Sequence, residues 1–156
     1  MPVGKYHRNL LITGPCGTGK TYLGCALAHK ACLTGYSVKY LRMSRFFQEL
    51  RVAKAQGDLS KWLQGLNKTH VLILDDWGLV VLDDGQRRDL LEVVDDRYQH
   101  VSTIITSQLP VSAWHESIGD PTLADAILDR VVHNAYQINL SGESMRKTNN
   151  KLDRSI

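Results

Sequence analysis

Apolar and polar positions along this chain follow two periods, one typical of buried strands and one typical of helices. Short apolar runs predict five strands, at residues 9–13, 37–41, 70–75, 103–107 and 135–140. Between them, apolar side chains recur every three or four residues and predict helices at residues 20–34, 44–56, 59–66, 83–100 and 120–133. This alternation predicts an α/β fold with a five-stranded parallel sheet and helices on both faces.

Polar and glycine residues mark the ends of several predicted helices. Gly35 is suited to end the first helix, and Ser44 is suited to cap the second. Asp83 or Asp84 is expected to cap the long fourth helix. Asp120 and Pro121 form an N-cap and first-turn pair for the last one.

The segment between the first strand and the first helix matches the P-loop pattern G-x-x-x-x-G-K-[ST] in full. Its glycines let backbone N–H groups approach phosphate oxygens, and the following helix favours an anion at its N-terminus. We expect Lys20 to reach the β- and γ-phosphates of ATP and Thr21 to ligate Mg²⁺. The predicted nucleotide-binding residues are Gly14, Pro15, Cys16, Gly17, Thr18, Gly19, Lys20, Thr21 and Tyr22. The alternative is a glycine turn that only joins a strand to a helix.

An acidic pair, Asp75 and Asp76, follows the third predicted strand. A buried strand that delivers a carboxylate to the edge of the sheet is what a second Mg²⁺ ligand requires, and Asp75 is the candidate. Asp76 is the candidate to orient or deprotonate the attacking water. Related ATPases more often have Glu there, so the shorter Asp76 favours nucleotide binding over fast turnover. An Asp in this place can also simply begin a turn.

Strand four ends in polar residues at the point where it is expected to adjoin the P-loop strand. Gln108 is the first candidate to contact the γ-phosphate or the water, and Ser107 is the second. A turn role for these residues is equally compatible with the sequence.

Composition narrows the class of protein. The chain has 156 residues, of which 43% are hydrophobic and 22% charged, as in a soluble single-domain protein rather than a disordered chain. No apolar run or leader segment indicates a membrane or secretion, so we expect a cytoplasmic protein. The net charge of +3 permits nucleic-acid binding without requiring it. Three cysteines are expected to be small buried thiols, and the scattered histidines suggest no zinc site.

Several segments together resemble the IstB/DnaC-like branch of the AAA+ ATPases, and IstB-type transposition helpers in particular. Besides the P-loop, the segments that carry this resemblance are residues 74–78, 96–98, 106–110, 114–130 and 142–146. The resemblance implies an AAA+ core in which Arg130 matches an arginine finger that reaches ATP bound by a neighbouring subunit. It also implies that Arg146 is the sensor arginine. For either residue, the alternative is a solvated surface arginine.

The resemblance further implies partners. In IstB-like proteins, ATP binding drives assembly of homo-oligomers on duplex DNA, and the complex presents target DNA to a transposase. Relatives contact DNA through a helical segment after strand two, here about residues 44–66, so the implied contacts to the DNA backbone are Arg42, Arg45, Arg51, Lys54 and Lys61 on one face. These basic residues are equally compatible with solvated helix positions. Phe46 and Phe47 are expected in the core.

Three other functions stay open. DnaC-like relatives load a replicative helicase onto single-stranded DNA, a small P-loop kinase would phosphorylate a metabolite, and an adaptor would bind ATP without hydrolysing it. Family members carry a helical region before the first strand, whereas eight residues precede Asn9 here. We therefore expect a fragment with an N-terminal remnant (residues 1–8), an ATPase core (9–140) and a sensor segment with a loose tail (141–156).

Overall fold

The computed structural model describes residues 8–133 and 135–141. Within them, all strand pairs are parallel and the sheet order is β2-β3-β4-β1-β5, so the expected five-stranded parallel sheet is confirmed. Strand β1, which precedes the P-loop, lies between β4 and β5. The strands are β1 (Leu10–Thr13), β2 (Val38–Arg42), β3 (Val71–Asp75), β4 (Ser102–Ser107) and β5 (Tyr136–Asn139).

The described helices include the five expected from the sequence. They are α1 (Lys20–Leu33), α2 (Met43–Ala55), α3 (Leu59–Lys68), α4 (Asp84–Arg97), α5 (Trp114–Ile118) and α6 (Pro121–Val132). Helix α5 and the 3₁₀ turn Val111–Ala113 before it were not predicted from the sequence. Each is too short to show a helical period.

Two helix ends differ from the sequence prediction. Helix α2 begins at Met43 with Arg42 in the N-cap position, because Met43 packs into the core, and Ser44 lies inside the helix. Helix α4 ends at Arg97 rather than near residue 100, because Gln99 adopts a left-handed backbone with φ 61°. The expected caps at Asp83 and Asp120 are confirmed, since their side chains accept hydrogen bonds from the N–H groups of Gln86 and Leu123.

Apolar side chains cover both faces of the sheet. On one face, α1 packs through Ala28 on Leu10, Ile12, Ile73 and Ile104. The larger cluster on the other face holds residues of β1, β3 and β4 together with residues of α2 to α6. Phe46 and Phe47 belong to this larger cluster, as expected. The three inner strands β3, β4 and β1 are buried along their whole length.

The expectation of buried thiols was wrong. Cys16, Cys25 and Cys32 are all exposed. Helix α1 buries Gly24 and Ala28 against the sheet, whereas Cys25 and Cys32 occupy exposed positions of the same helix.

In the part of the chain that the structure describes, no helix is both long enough and apolar enough to cross a membrane.

Candidate functional site

The parallel sheet brings three sequence-predicted segments to one edge. Strands β1, β3 and β4 are neighbours, so the residues that follow them lie side by side. Gly14 N–H donates to the Ser107 carbonyl at 3.2 Å, and Trp77 N–H donates to the Thr106 carbonyl at 2.9 Å. The P-loop, the acidic pair and Gln108 therefore lie next to one another at the carboxyl ends of these strands.

The P-loop takes a backbone shape that its glycines allow. Gly14, Gly17 and Gly19 have φ angles of 151°, 81° and 90°, which other residues rarely adopt. A side chain at Gly14 would also overlap the carbonyl oxygen of Leu140, which follows β5. Within the loop, the Thr18 hydroxyl and the Lys20 ammonium both donate to the Pro15 carbonyl, at 2.8 and 2.9 Å.

The N-terminus of α1 is open toward this loop. Gly19 occupies the N-cap position and offers no side-chain acceptor, and the first turn contains no acidic residue. The first N–H groups of a helix lack partners within the helix and, with its dipole, favour an anion. Lys20 adds a positive charge to the same turn and is 8% exposed. This surface fits a phosphate group.

Asp75 is the most buried acid of the site. It is 2% exposed and accepts hydrogen bonds from three hydroxyl groups. Thr21 donates to its Oδ1 at 2.9 Å, Thr106 donates to the same oxygen, and Tyr40 donates to Oδ2 at 2.5 Å. Because Mg²⁺ prefers oxygen ligands, the adjacent Asp75 carboxylate and Thr21 hydroxyl form a donor set that fits this ion next to the phosphate-binding loop.

Tyr40 and Thr106 were not among the site residues predicted from the sequence. Both side chains reach Asp75 from neighbouring strands, β2 and β4. The apolar runs around them predicted the strands but not their pairing, and the pairing decides which side chains meet. Partial burial and the hydrogen bond to Asp75 raise the pKa of Tyr40 above its ordinary value. Partial burial, and then the charge of Asp75, likewise raise the pKa of the Cys25 thiol.

Asp76 has a left-handed backbone with φ 64°. Such a conformation costs a non-glycine residue about 1–3 kcal/mol and is common at functional sites. Here it is held by the Asp76 N–H, which donates to the Thr106 hydroxyl at 3.2 Å, and by the following Trp77, which is 2% exposed. The chain thus turns sharply between Asp75 and the buried indole.

Gln108 is exposed directly after β4, at the predicted edge of the sheet. Ser107 has a different position, since it is fully buried and its hydroxyl donates to the Trp77 carbonyl at 2.6 Å. Ser107 therefore supports the turn after the acidic pair, and of these two residues Gln108 is the one that faces outward.

Arg130 lies near the amino-terminal end of β1, whereas the P-loop follows the carboxyl end of that strand. Asn9, which precedes β1, donates through Nδ2 to the carbonyls of Arg130 and Val131 at 3.4 and 3.1 Å. The four residues of β1 span roughly 13 Å between this point and Gly14. Arg130 is thus not brought to the P-loop of its own chain.

Two carboxylates and an aromatic ring hold the Arg130 side chain. Its Nε donates to Asp95 and its Nη1 to Asp129, each at 2.6 Å. Its Cζ lies 5.0 Å from the centroid of the Tyr98 ring. The hydrogen bond to Asp95 is the main cause that raises the pKa of Arg130.

The last two predicted site residues are Tyr22 and Arg146. Tyr22 is 80% exposed in the first turn of α1. Arg146 lies outside the described residues.

The basic residues of the α2–α3 segment do not share one face. Lys54 turns toward α4 and pairs with Asp89 at 2.6 Å. Arg45 pairs with Glu49 at 3.7 Å within α2. The expectation of one basic face is therefore wrong for these two residues, because nine positions along α2 (Met43–Ala55) place Arg45 and Lys54 on opposite sides of the helix.

The other three basic candidates lie at separate places. Arg51 is exposed on α2, and Arg42 is exposed at its N-cap, where the Tyr40 hydroxyl is the main cause that raises the pKa of Arg42. Lys61, with Arg45 and Trp62, lines an open groove of about 690 Å³ between α2 and α3.

Comparisons with known proteins agree with this geometry. A family model described as IstB-like ATP binding protein matches residues 4–153. An insertion sequence ATP-binding protein of Sinorhizobium fredii is 57% identical over 141 residues, which make up 90% of this chain and 58% of that protein. The chain therefore spans somewhat more than half the length of this relative.

Solved structures share the fold. The crystal structure of DnaI has a TM-score of 0.78 at 24% identity, across 88% of this chain and 76% of that one. The DnaC helicase loader has a TM-score of 0.75 at 21% identity, across 88% of this chain and 81% of that one. The fold is that of a P-loop ATPase of the AAA+ type, and the chain belongs to the family of IstB-like ATP binding proteins.

Proposed function

We propose that this chain is the ATPase core of a transposition helper, in which ATP controls assembly on DNA. The observation that carries the proposal is the contact of the Thr21 hydroxyl with the buried Asp75 carboxylate, beside the open N-terminus of α1. This is the arrangement required for a nucleotide bound with Mg²⁺. The names of relatives, which refer to insertion sequences, support the role in transposition.

The P-loop residues and Tyr22 would hold ATP. Lys20 would exchange the Pro15 carbonyl for phosphate oxygens, and Thr21 and Asp75 would hold Mg²⁺. Bound Mg²⁺ would neutralise charge on the phosphates. Asp76 would orient the attacking water, Gln108 would contact the γ-phosphate, and Arg146 would sense the bound nucleotide. Because Asp76 is one methylene shorter than the more usual Glu, we expect slow hydrolysis.

Arg130 would complete the site of a neighbouring copy. Its position at the opposite edge of the sheet prevents it from acting on ATP in its own chain but suits contact with the P-loop edge of a second molecule. Arginine fingers contribute about 10³–10⁵ in rate in phosphoryl-transfer enzymes. Hydrolysis would then depend on the homo-oligomer.

Duplex DNA would be bound mainly through its backbone. Of the five basic candidates, Arg51 and Lys61 form no ion pair among the described residues. Arg42 lies near the carboxylates of Asp75 and Asp76, and Arg45 and Lys54 would have to exchange their acidic partners. Contacts of this kind neutralise phosphates without reading sequence and weaken strongly with salt. The transposase of the same mobile element is the proposed protein partner.

The test of this proposal is assembly on DNA in the presence and absence of ATP and Mg²⁺. We expect wild-type protein to form a sedimenting complex on duplex DNA only with ATP, and Lys20→Ala to lose both ATP binding and this complex. Lys30→Ala, a change of the same type at the other end of α1, is the matched control and should behave as wild type. Full assembly by Lys20→Ala would show that ATP does not control assembly on DNA.

A second candidate function is a non-hydrolysing ATP-binding adaptor, which the aspartate at position 76 favours. ATP turnover with and without duplex DNA separates the two functions. DNA-stimulated turnover supports the ATPase, and ATP binding without turnover in either condition supports the adaptor. The similarity of the fold to that of the DnaC helicase loader suggests a helicase-loading role as a further alternative. Co-purification with a replicative helicase rather than with a transposase would support that role.

A further inference from the structure

We propose that Tyr40 is a positioning residue for the carboxylate of Asp75, and that its hydroxyl sets the affinity of the site for Mg²⁺. This role rests on the proposed nucleotide-binding function. The sequence gives no motif for it, because Tyr40 lies 35 residues before Asp75 on a different strand.

The pairing of β2 with β3 explains how Tyr40 reaches the site. Tyr40 is opposite Ile73, and Ile73 belongs to the cluster packed under α1. Side chains two residues apart in a strand lie on the same face, so Asp75 shares that face with Ile73. The long side chain of Tyr40 therefore extends along the α1 side of the sheet toward Asp75 and toward Thr21 at the start of α1.

The hydrogen bonds at Asp75 are divided between its two oxygens. Oδ1 accepts from Thr21 and Thr106, whereas the donor to Oδ2 among the described residues is Tyr40, at 2.5 Å. With Oδ2 held, the carboxylate cannot rotate about its Cβ–Cγ bond without breaking this contact. Tyr40 thus fixes the direction in which Oδ1 faces Thr21.

The hydrogen bond from Tyr40 matters because the Asp75 carboxylate is buried. A buried carboxylate needs hydrogen-bond donors to offset the loss of its contacts with water, and Asp75 is 2% exposed. Tyr40 itself is 40% exposed, so its ring lies at the edge of the sheet while its hydroxyl is directed inward. A phenylalanine would keep the ring in place and remove only the hydroxyl, which contacts Arg42 as well as Asp75. Groups that hydrogen-bond a metal ligand in this way typically change metal affinity about 10–100-fold.

The experiment is a Mg²⁺ titration of nucleotide binding in Tyr40→Phe, with a fluorescent ATP analogue as the probe. We expect the Mg²⁺ concentration at half-maximal enhancement to rise about tenfold. Binding of the analogue in EDTA should equal that of wild type, and thermal unfolding should show that the variant is folded. Tyr36→Phe removes a hydroxyl at the other end of β2, where the ring contacts His70, and is the matched control with an unchanged titration.

Three results would contradict the proposal. An unchanged Mg²⁺ midpoint in folded Tyr40→Phe would reject the positioning role alone, because wild-type binding would still support the nucleotide site. An equal loss of affinity with Mg²⁺ and with EDTA would assign Tyr40 to the nucleotide or to the fold instead. Wild-type protein that binds no Mg²⁺-nucleotide would overturn the proposed function together with this role.

Discussion

Arg97, at the end of α4, is a buried cation whose partners are neutral. It is 2% exposed, and its guanidinium donates to the Thr103 hydroxyl and to the carbonyls of Leu66, Thr69 and Ser102, at 2.6 to 3.0 Å. Burial lowers the pKa of Arg97 to about 10, so the side chain remains charged at neutral pH. One side chain thus joins the end of α3 to α4 and β4.

Replacing Arg97 should therefore be costly. Arg97→Met keeps an apolar stem but leaves several buried acceptors without donors, and we expect the free energy of unfolding to fall by about 3 kcal/mol or more. Urea denaturation measures the change. Arg88→Met, at an exposed position of the same helix, should change stability by less than about 0.5 kcal/mol. A similar small change at both positions would show that the Arg97 network adds little.

The positions of Arg97 and Tyr40 could not be predicted from patterns in the sequence. The P-loop residues and Asp75 followed from motif spacing, because phosphate and Mg²⁺ binding dictate residue type at fixed separations. Arg97 occupies a position of α4 at which the helical period would place an apolar residue. A charged side chain can lie inward there only because carbonyls from distant segments accept its hydrogen bonds. Tyr40 and Thr106 depend in the same way on strand pairing, which short apolar runs do not encode.

At the scale of elements, the two helix starts at Asp58 and Asp83 differ in capping. Asp83 forms a capping box with Gln86, in which each side chain bonds the backbone of the other residue. Asp58 occupies the N-cap position of α3 without such a bond. The sequence shows an acid at both helix starts, and only the backbone conformation distinguishes them.

This difference predicts unequal costs for one substitution. Asp83→Ala should lower the free energy of unfolding by about 1 kcal/mol, because it leaves the Gln86 N–H without its acceptor. Asp58→Ala should cost only a few tenths of a kcal/mol, since charge near the helix dipole is all that it removes. Thermal or urea unfolding of both variants provides the comparison, and equal losses would contradict the assigned capping.

The elements themselves were largely predictable. All five strands and five of the helices lie within a few residues of their predicted positions, because a buried parallel sheet requires continuous apolar runs. Helix α5 was missed because five residues show no period, yet its Trp114 is fully buried against Trp77. Its presence reflects tertiary packing between the end of β4 and the start of α6.

At the scale of the whole molecule, the two halves of the proposed ATPase site lie at opposite edges of one sheet. The P-loop, Asp75 and Gln108 follow the carboxyl ends of the strands, and Arg130 lies beside Asn9 at the other end of β1. Contact between unlike edges of successive copies is a head-to-tail association, which produces rings or helical filaments. The arrangement therefore predicts an assembly in which each ATP lies between two copies.

Mixing two inactive variants tests whether one ATPase site is shared between two copies. Lys20→Ala should bind no ATP and Arg130→Ala should bind ATP without DNA-stimulated hydrolysis, whereas Arg88→Ala should behave as wild type. Although Lys20→Ala does not assemble alone, its intact Arg130 can complete the ATP-bound P-loop of an Arg130→Ala copy, so an equimolar mixture should form complete sites at up to about a quarter of random copy pairs.

The deciding measurement is phosphate release by that mixture in the presence of duplex DNA. We predict that the mixture regains a substantial fraction of wild-type turnover, although each variant alone has none. If Arg130→Ala alone hydrolyses ATP at the wild-type rate, or if the mixture stays as inactive as its components while still assembling on DNA, the shared site is contradicted.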